Sequence, residues 1–143
     1  RIAEHRLRVA VPAGHRLAAR PAVALADLNG EPLTVWGESG SSAYTDLLIG
    51  LCRQAGVEPD TQRNPVQGTP PVTAVSATGR IAFVTTPVGP VAGGAAHVVD
   101  LDPPVYVPVH ALWPAHTTCR DRDVFLSRVG ELLGGGGVGG GGI

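Results

Sequence analysis

Residues 32–63 constrain the fold more than any other stretch. Pro32 to Trp36 reads as a short apolar strand, which runs into Gly37-Glu38-Ser39-Gly40-Ser41-Ser42. Tyr44, Leu47, Leu48, Leu51, Cys52 and Ala55 then recur at helical spacing, the stripe of an amphipathic helix. One of the serines serves as its N-cap and Gly56 as its stop. Val57 to Arg63 follows as a second strand, with only Val57 strongly apolar. Two strands joined through a helix by short connections cannot pair as a hairpin. They form a crossover unit, which favours parallel strands and a right-handed connection.

The flanking chain extends this pattern. Leu7, Val9 and Val11 alternate with Arg8 and Ala10, predicting a strand over 7–12 that Pro12 and Gly14 terminate. A connector over 21–30 holds one helical turn near Asp27 and the Asn29-Gly30 turn. After the second strand, the loop 64–69 opens a second helix, with Thr69 as N-cap and Pro70 at its first position. Val72, Ala74, Val75 and Thr78 give its apolar face, Gly79 ends it, and 81–85 reads as a buried strand. Residues 89–96 read as a small-residue loop, and 97–101 as a strand turned by Asp102-Pro103-Pro104. A further strand covers 105–113, with Pro108 demanding an edge or a bulge. Val124, Phe125, Val129, Leu132 and Leu133 predict a helix over 121–133, with Thr117, Thr118 and Asp121 competing for its N-cap. Apart from Val138 and Ile143, residues 134–143 are glycine, and a flexible tail is expected there.

Composition narrows the function classes. A length of 143 residues with 43% hydrophobic content suits one globular unit with a real core. No apolar run approaches the ~20 residues that span a bilayer, and no membrane partner is expected. The start at Arg1, with no methionine in the chain and no apolar run after the basic residues, reads as a fragment rather than a signal peptide. All 11 basic residues are arginine and the net charge is -1, without a basic stripe. Nucleic-acid binding therefore belongs elsewhere in any larger protein. Two cysteines, Cys52 and Cys119, form no paired motif, and a reducing compartment is the default. The five histidines lack ligand spacing, so no metal site is expected. Gly89, Gly93 and Gly94 do not make a dinucleotide fingerprint, and no cofactor is implied.

Two loops remain as candidate sites. Gly37-Glu38-Ser39-Gly40-Ser41 occupies a strand-to-helix turn, yet Ser41 stands where a nucleophile elbow needs its second glycine. Ser39 and Ser41 fit better as polar contacts for a small ligand at a helix start, or as simple caps. The loop 64–69 opens the next helix in the same way. Helix starts after neighbouring parallel strands face a common crevice at the strands' carboxyl ends.

Several of these features occur together in one known family. Val11-Pro12, then Gly14-His15-Arg16-Leu17-Ala18, then Asp27-Leu28-Asn29-Gly30-Glu31-Pro32-Leu33 resembles the effector-binding domain of LysR-type transcriptional regulators. The helix closing at Gly79 before a strand that ends near Pro87, and the pair Leu112-Trp113, resemble it further. Arg80 stands where the family usually has a second glycine. The resemblance covers residues 5–133 and about half of the family's domain plan. It implies an α/β, periplasmic-binding-protein-like (type 2) lobe with a mixed, mainly parallel sheet flanked by helices. In that plan 12–104 is the second lobe, 7–12 and 105–113 are hinge strands, and helix 121–133 packs on the first lobe. It further implies a small-molecule effector touched by Val66, Gln67, Gly68 and Thr69, and no catalysis. DNA contact through an N-terminal winged helix-turn-helix, homo-oligomers and a cytoplasmic setting also follow from it. The alternatives are a periplasmic solute-binding protein of a transporter and, further off, a serine hydrolase.

Overall fold

The 32–63 segment folds as the crossover its pattern demands. In a computed structural model, which describes residues 1–134, strand β3 (Pro32–Val35) leads into helix α1 (Ala43–Gln54) and then strand β4 (Asp60–Arg63). The two strands pair in parallel, with Leu33 opposite Thr61 and Val35 opposite Arg63. Before this unit lie β1 (Ala3–Pro12), β2 (Ala22–Val23) and a 3-10 turn (Leu25–Leu28). After it come α2 (Pro71–Thr78), β5 (Ala82–Val84), β6 (Gly89–Val91), β7 (Ala96–Val109) and α3 (Arg120–Gly134).

The larger sheet has the order β2-β7-β1-β5, with β6 on β7. It is mixed: β2 runs parallel to β7, whereas β5 is antiparallel to β1 and β6 to β7. A parallel bridge from Leu33 to Ile81 links β3 to the start of β5. The alternation in β1 sends Leu7, Val9 and Val11 into a fully buried layer. On the opposite face Ala10, Ala82, Val84, Val98 and Val75 form a second cluster, against which Trp36 and Val72 pack. The described residues divide into two compact units, one from Arg6–Val105, the other from Arg1–His5 with the described residues from Tyr106 onward. In the latter the Arg122 guanidinium lies 5.1 Å from the centre of the Trp113 ring.

Several expectations need correction. Helix α1 buries Thr45, Leu48, Ile49 and Cys52, while Tyr44 and Leu47 are exposed. Its phase is set at the N-terminus, where Ser42 accepts from the Thr45 N–H and the Thr45 hydroxyl donates to the Gly37 carbonyl. Apolar periodicity could not weigh a buried threonine. Pro70, not Thr69, is the N-cap of α2, and Pro71 takes the first helical position; two adjacent prolines shift the start by one residue. The segment expected as a loop over 89–96 contributes β6, a 3-10 turn at Ala92–Gly94 and the start of β7. No turn interrupts β7 at Asp102-Pro103-Pro104. Its neighbour β2 reaches only to Leu101, so the prolines fall where one side of the strand has no ladder to lose. The strand ends at Val109 rather than 113, leaving Leu112 and Trp113 outside it. Gly134 belongs to α3, and the remainder of the glycine-rich tail lies outside the described residues.

Candidate functional site

The crossovers create a crevice at one end of the sheet. From β3 the chain passes through α1 to β4 on one side; α2 then carries it back to β5 on the other. The Thr34 N–H donates to the Ile81 carbonyl at 2.8 Å and the Ile81 N–H to the Pro32 carbonyl at 3.0 Å, which locks β3 beside the start of β5. Where successive connections leave in opposite directions, nothing covers the carboxyl ends of the two strands, and α/β proteins place ligands there. A cavity of about 210 Å³ occupies this position. Thr34, Trp36, Thr85 and Thr86 bring polar groups to it from the strand ends, and Tyr44 and Thr45 from the first turn of α1. Val35, Leu48, Pro71, Phe83 and Val84 complete an otherwise apolar wall.

Local sequence explains the opening. Gly37 turns the chain out of β3 at the point where Ser42 returns, and a Cβ there would lie 2.3 Å from the Ser42 Cβ. Only glycine lets the helix start so close to the strand end. Asp46 in the first turn accepts from the Ser39 hydroxyl and the Gly40 N–H, holding the outer loop. Tyr44 is exposed over about half its surface, and the loss of water around its covered part pushes the phenol above its usual range.

Two polar groups of this wall have no protein partner. The Thr34 hydroxyl oxygen and the Trp36 indole nitrogen are buried without a hydrogen bond. The Thr45 hydroxyl, by contrast, is held by Gly37. Unpartnered buried groups of this kind cost about 1–3 kcal/mol each, which makes this wall a candidate site.

None of the six residues singled out in the sequence lines the cavity. Ser39 donates to Asp46 at 3.1 Å, and Ser41 to the Glu38 carbonyl at 3.2 Å; both are exposed. Val66, Gln67 and Gly68 are exposed on a turn, with Gly68 at φ 77. The Val66 carbonyl accepts from buried Asn64 at 2.8 Å and from the Thr69 hydroxyl at 3.2 Å, so the turn is closed on itself. The bases of the two loops are joined by the Arg63–Glu38 ion pair, at 3.0 Å. The segment 66–69 stops two residues short of Pro71, which does line the cavity. Sequence reasoning did not single out Thr34 and Trp36, which line the cavity. Their signal was a threonine inside an apolar strand and a tryptophan at its exit, both read as strand filling.

Among the described residues no group of three or more His, Cys, Asp or Glu side chains is placed to hold a metal ion. No described helix is long and apolar enough to cross a membrane.

Residues 1–121 match the LysR substrate binding domain family. The chain belongs to that family, whose fold is the type 2 periplasmic-binding-protein-like α/β arrangement described above. No curated protein matches it significantly. Solved structures agree on the fold. A LysR family transcriptional regulator from Pseudomonas aeruginosa is similar at 21% identity and a TM-score of 0.64, covering 92% of this chain and 46% of its own. The oxidized form of OxyR is similar at 19% identity and a TM-score of 0.65, over 94% of this chain and 65% of that one. The CcmR regulatory domain of Synechocystis PCC6803, solved in complex with 2-PG, is similar at 18% identity and a TM-score of 0.60, over 92% and 64%. The chain thus spans less than half the length of the first of these relatives and under two thirds of the other two.

Proposed function

We propose that this chain is the effector-sensing part of a LysR-type transcriptional regulator and binds a small molecule in the cavity at the carboxyl ends of β3 and β5. The observation that carries the reading is the pair of unpartnered buried groups, Thr34 Oγ1 and Trp36 Nε1, on that cavity's wall. In the family's plan residues 12–104 act as the second lobe, 7–12 and 105–113 as the crossings, and 121–133 as a helix packing on the first lobe. Exposed Val124, Phe125, Leu132 and Leu133 on α3 support that last assignment. Val66, Gln67, Gly68, Thr69, Ser39 and Ser41 then act at the rim.

The mechanism is a shift of population. A ligand that contacts both lobes favours one interlobe arrangement by its differential affinity, and the shift reaches a DNA-binding segment outside this chain. The net charge of -1 supports placing DNA contact elsewhere. The protein works as a cytoplasmic homo-oligomer and performs no catalysis; the serine hydroxyls nearest a nucleophile-like turn are both engaged as donors.

The test is operator binding by the intact protein with and without its inducing molecule, in Thr34→Val and Trp36→Phe variants. Both should bind operator normally and lose the response. An unchanged response in both overturns the site. Gln67→Ala and Thr69→Ala report on the rim in the same assay, where a weakened response is expected.

A further inference from the structure

We infer, resting on the reading of this cavity as the effector site, that Arg8 is its positioning residue. One guanidinium, outside the cavity itself, holds the Thr85–Thr86 wall in place and fastens it to the strands β1 and β7.

The observation begins where a ladder stops. Strand β5 pairs with β1 over Ala82–Val84, and Val84 lies opposite Arg8. Beyond Val84 the chain leaves the ladder, and Thr85 and Thr86 become part of the cavity wall. Backbone carbonyls that leave a sheet need other donors. The Arg8 side chain supplies one: its Nη1 donates to the Thr85 and Thr86 carbonyls, each at 3.4 Å. These bonds are long, but the donor is charged and its side chain is largely shielded from water.

The same guanidinium is committed on its other edge. Its Nε–H donates to Asp100 Oδ1 at 2.8 Å. Asp100 lies on β7, which runs unbroken from Ala96 to Val109, and Arg8 lies on β1 within the 7–12 crossing. Wall, β1 and β7 thus meet on one rigid planar group, and a fork of fixed geometry cannot follow one partner without straining its bond to another. An occupant that shifts the Thr85–Thr86 wall therefore acts on both strands through Arg8. Arg6, two residues earlier on the same face of β1, stands 3.3 Å from the same Asp100 oxygen, with its Nε buried and without a hydrogen bond. Either arginine can neutralise Asp100, but it is Arg8 that sits opposite Val84, where the wall departs. Charge pairing and wall positioning are therefore separable.

The test needs no effector. Intact protein is labelled with carbonyl-carbon-13 threonine, and the Thr85 and Thr86 resonances are assigned with Thr85→Ser and Thr86→Ser. Arg8→Gln should move both carbonyls upfield, because each loses a charged donor, while Arg6→Gln should leave both in place. Arg8→Lys keeps a charge for Asp100 but replaces the fork by a single donor centre. It should retain the urea midpoint of the natural chain and still show the upfield shifts, and it carries the comparison should the glutamine variant fail to fold. Asp100→Asn, a change on β7, should move the two carbonyls in the natural chain and leave them unmoved in an Arg8→Gln background. Carbonyl resonances that ignore both Arg8 variants, or an Asp100→Asn effect that persists without Arg8, overturn the assignment. The cavity reading fails separately, through an unchanged operator response in Thr34→Val and Trp36→Phe, and these ligand-free shifts do not depend on it.

Discussion

Replacing Thr34 by valine should stabilise the ligand-free protein. Thr34 is 1% exposed, and its hydroxyl oxygen has no hydrogen-bond partner. Folding strips water from that hydroxyl and returns nothing, a penalty of about 1–3 kcal/mol. Valine keeps the branched shape and removes the polar atom, so a gain of about 1 kcal/mol is expected. With a urea dependence of about 1–3 kcal/mol per molar, the unfolding midpoint rises by roughly 0.3–1 M. Thr45 provides the matched control: it is 2% exposed, but its hydroxyl donates to the Gly37 carbonyl at 3.0 Å. Thr45→Val strands that carbonyl and should lower stability by about 1 kcal/mol or more. The assay is urea unfolding of the ligand-free intact protein for both variants. If Thr34→Val lowers the midpoint or leaves it unchanged, the hydroxyl already has a partner and is not reserved for a ligand.

Further expectations concern the scaffold around the cavity. Gly37→Ala drives a methyl group into Ser42 and should cost about 1–3 kcal/mol through overpacking and loss of the cap. Gly50→Ala, in the interior of α1 with nothing within 4 Å of the added Cβ, should gain about 0.5–1 kcal/mol; thermal melts of the two variants read the opposite signs. The turn after β1 carries a pH-dependent brace, with Glu31 2.9 Å from both His15 Nε2 and Arg16 Nε. Burial alone would raise the Glu31 carboxyl, but the His15 hydrogen bond and the Arg16 guanidinium outweigh it and hold it below its ordinary value of 4.5. Its contribution is therefore present above that value and lost as pH falls through the lower folded one. Unfolding midpoints measured downward from pH 5 should fall less steeply for Glu31→Gln than for the natural chain. An active-site phosphonate or acyl probe should label neither Ser39 nor Ser41; covalent labelling read by mass spectrometry would reopen the hydrolase alternative.

Fold and site were legible to different depths, for physical reasons. The β3–α1–β4 crossover follows from periodicity and glycine punctuation, which are local properties. The phase of α1 does not, because Thr45 is drawn inward by a hydrogen bond to Gly37, a contact that only the folded turn creates. The continuity of β7 through Pro103 and Pro104 depends on how far β2 extends beside it, a tertiary fact that local proline rules misread as a turn. The end of the sheet at which the cavity opens was readable, since helix starts after strands mark the ligand end of such sheets. The residues that line the cavity were not. The family's loop drew attention to 66–69, whereas the cavity belongs to the next layer inward, where Thr34 and Trp36 from β3 meet Thr85 and Thr86 from the end of β5. Recognising those residues requires knowing that β3 lies beside Ile81, and no spacing along the chain encodes that.

The central claim, that the β3–β5 cavity takes the effector, is tested most directly by the indole N–H resonance of Trp36 in nitrogen-15-labelled intact protein, assigned with Trp36→Phe. Titration with the inducing molecule of the operator assay should move this resonance downfield, because an N–H with no partner in the free protein gains an acceptor, while the Trp113 indole stays in place. Saturable binding that leaves Trp36 unmoved would contradict the account.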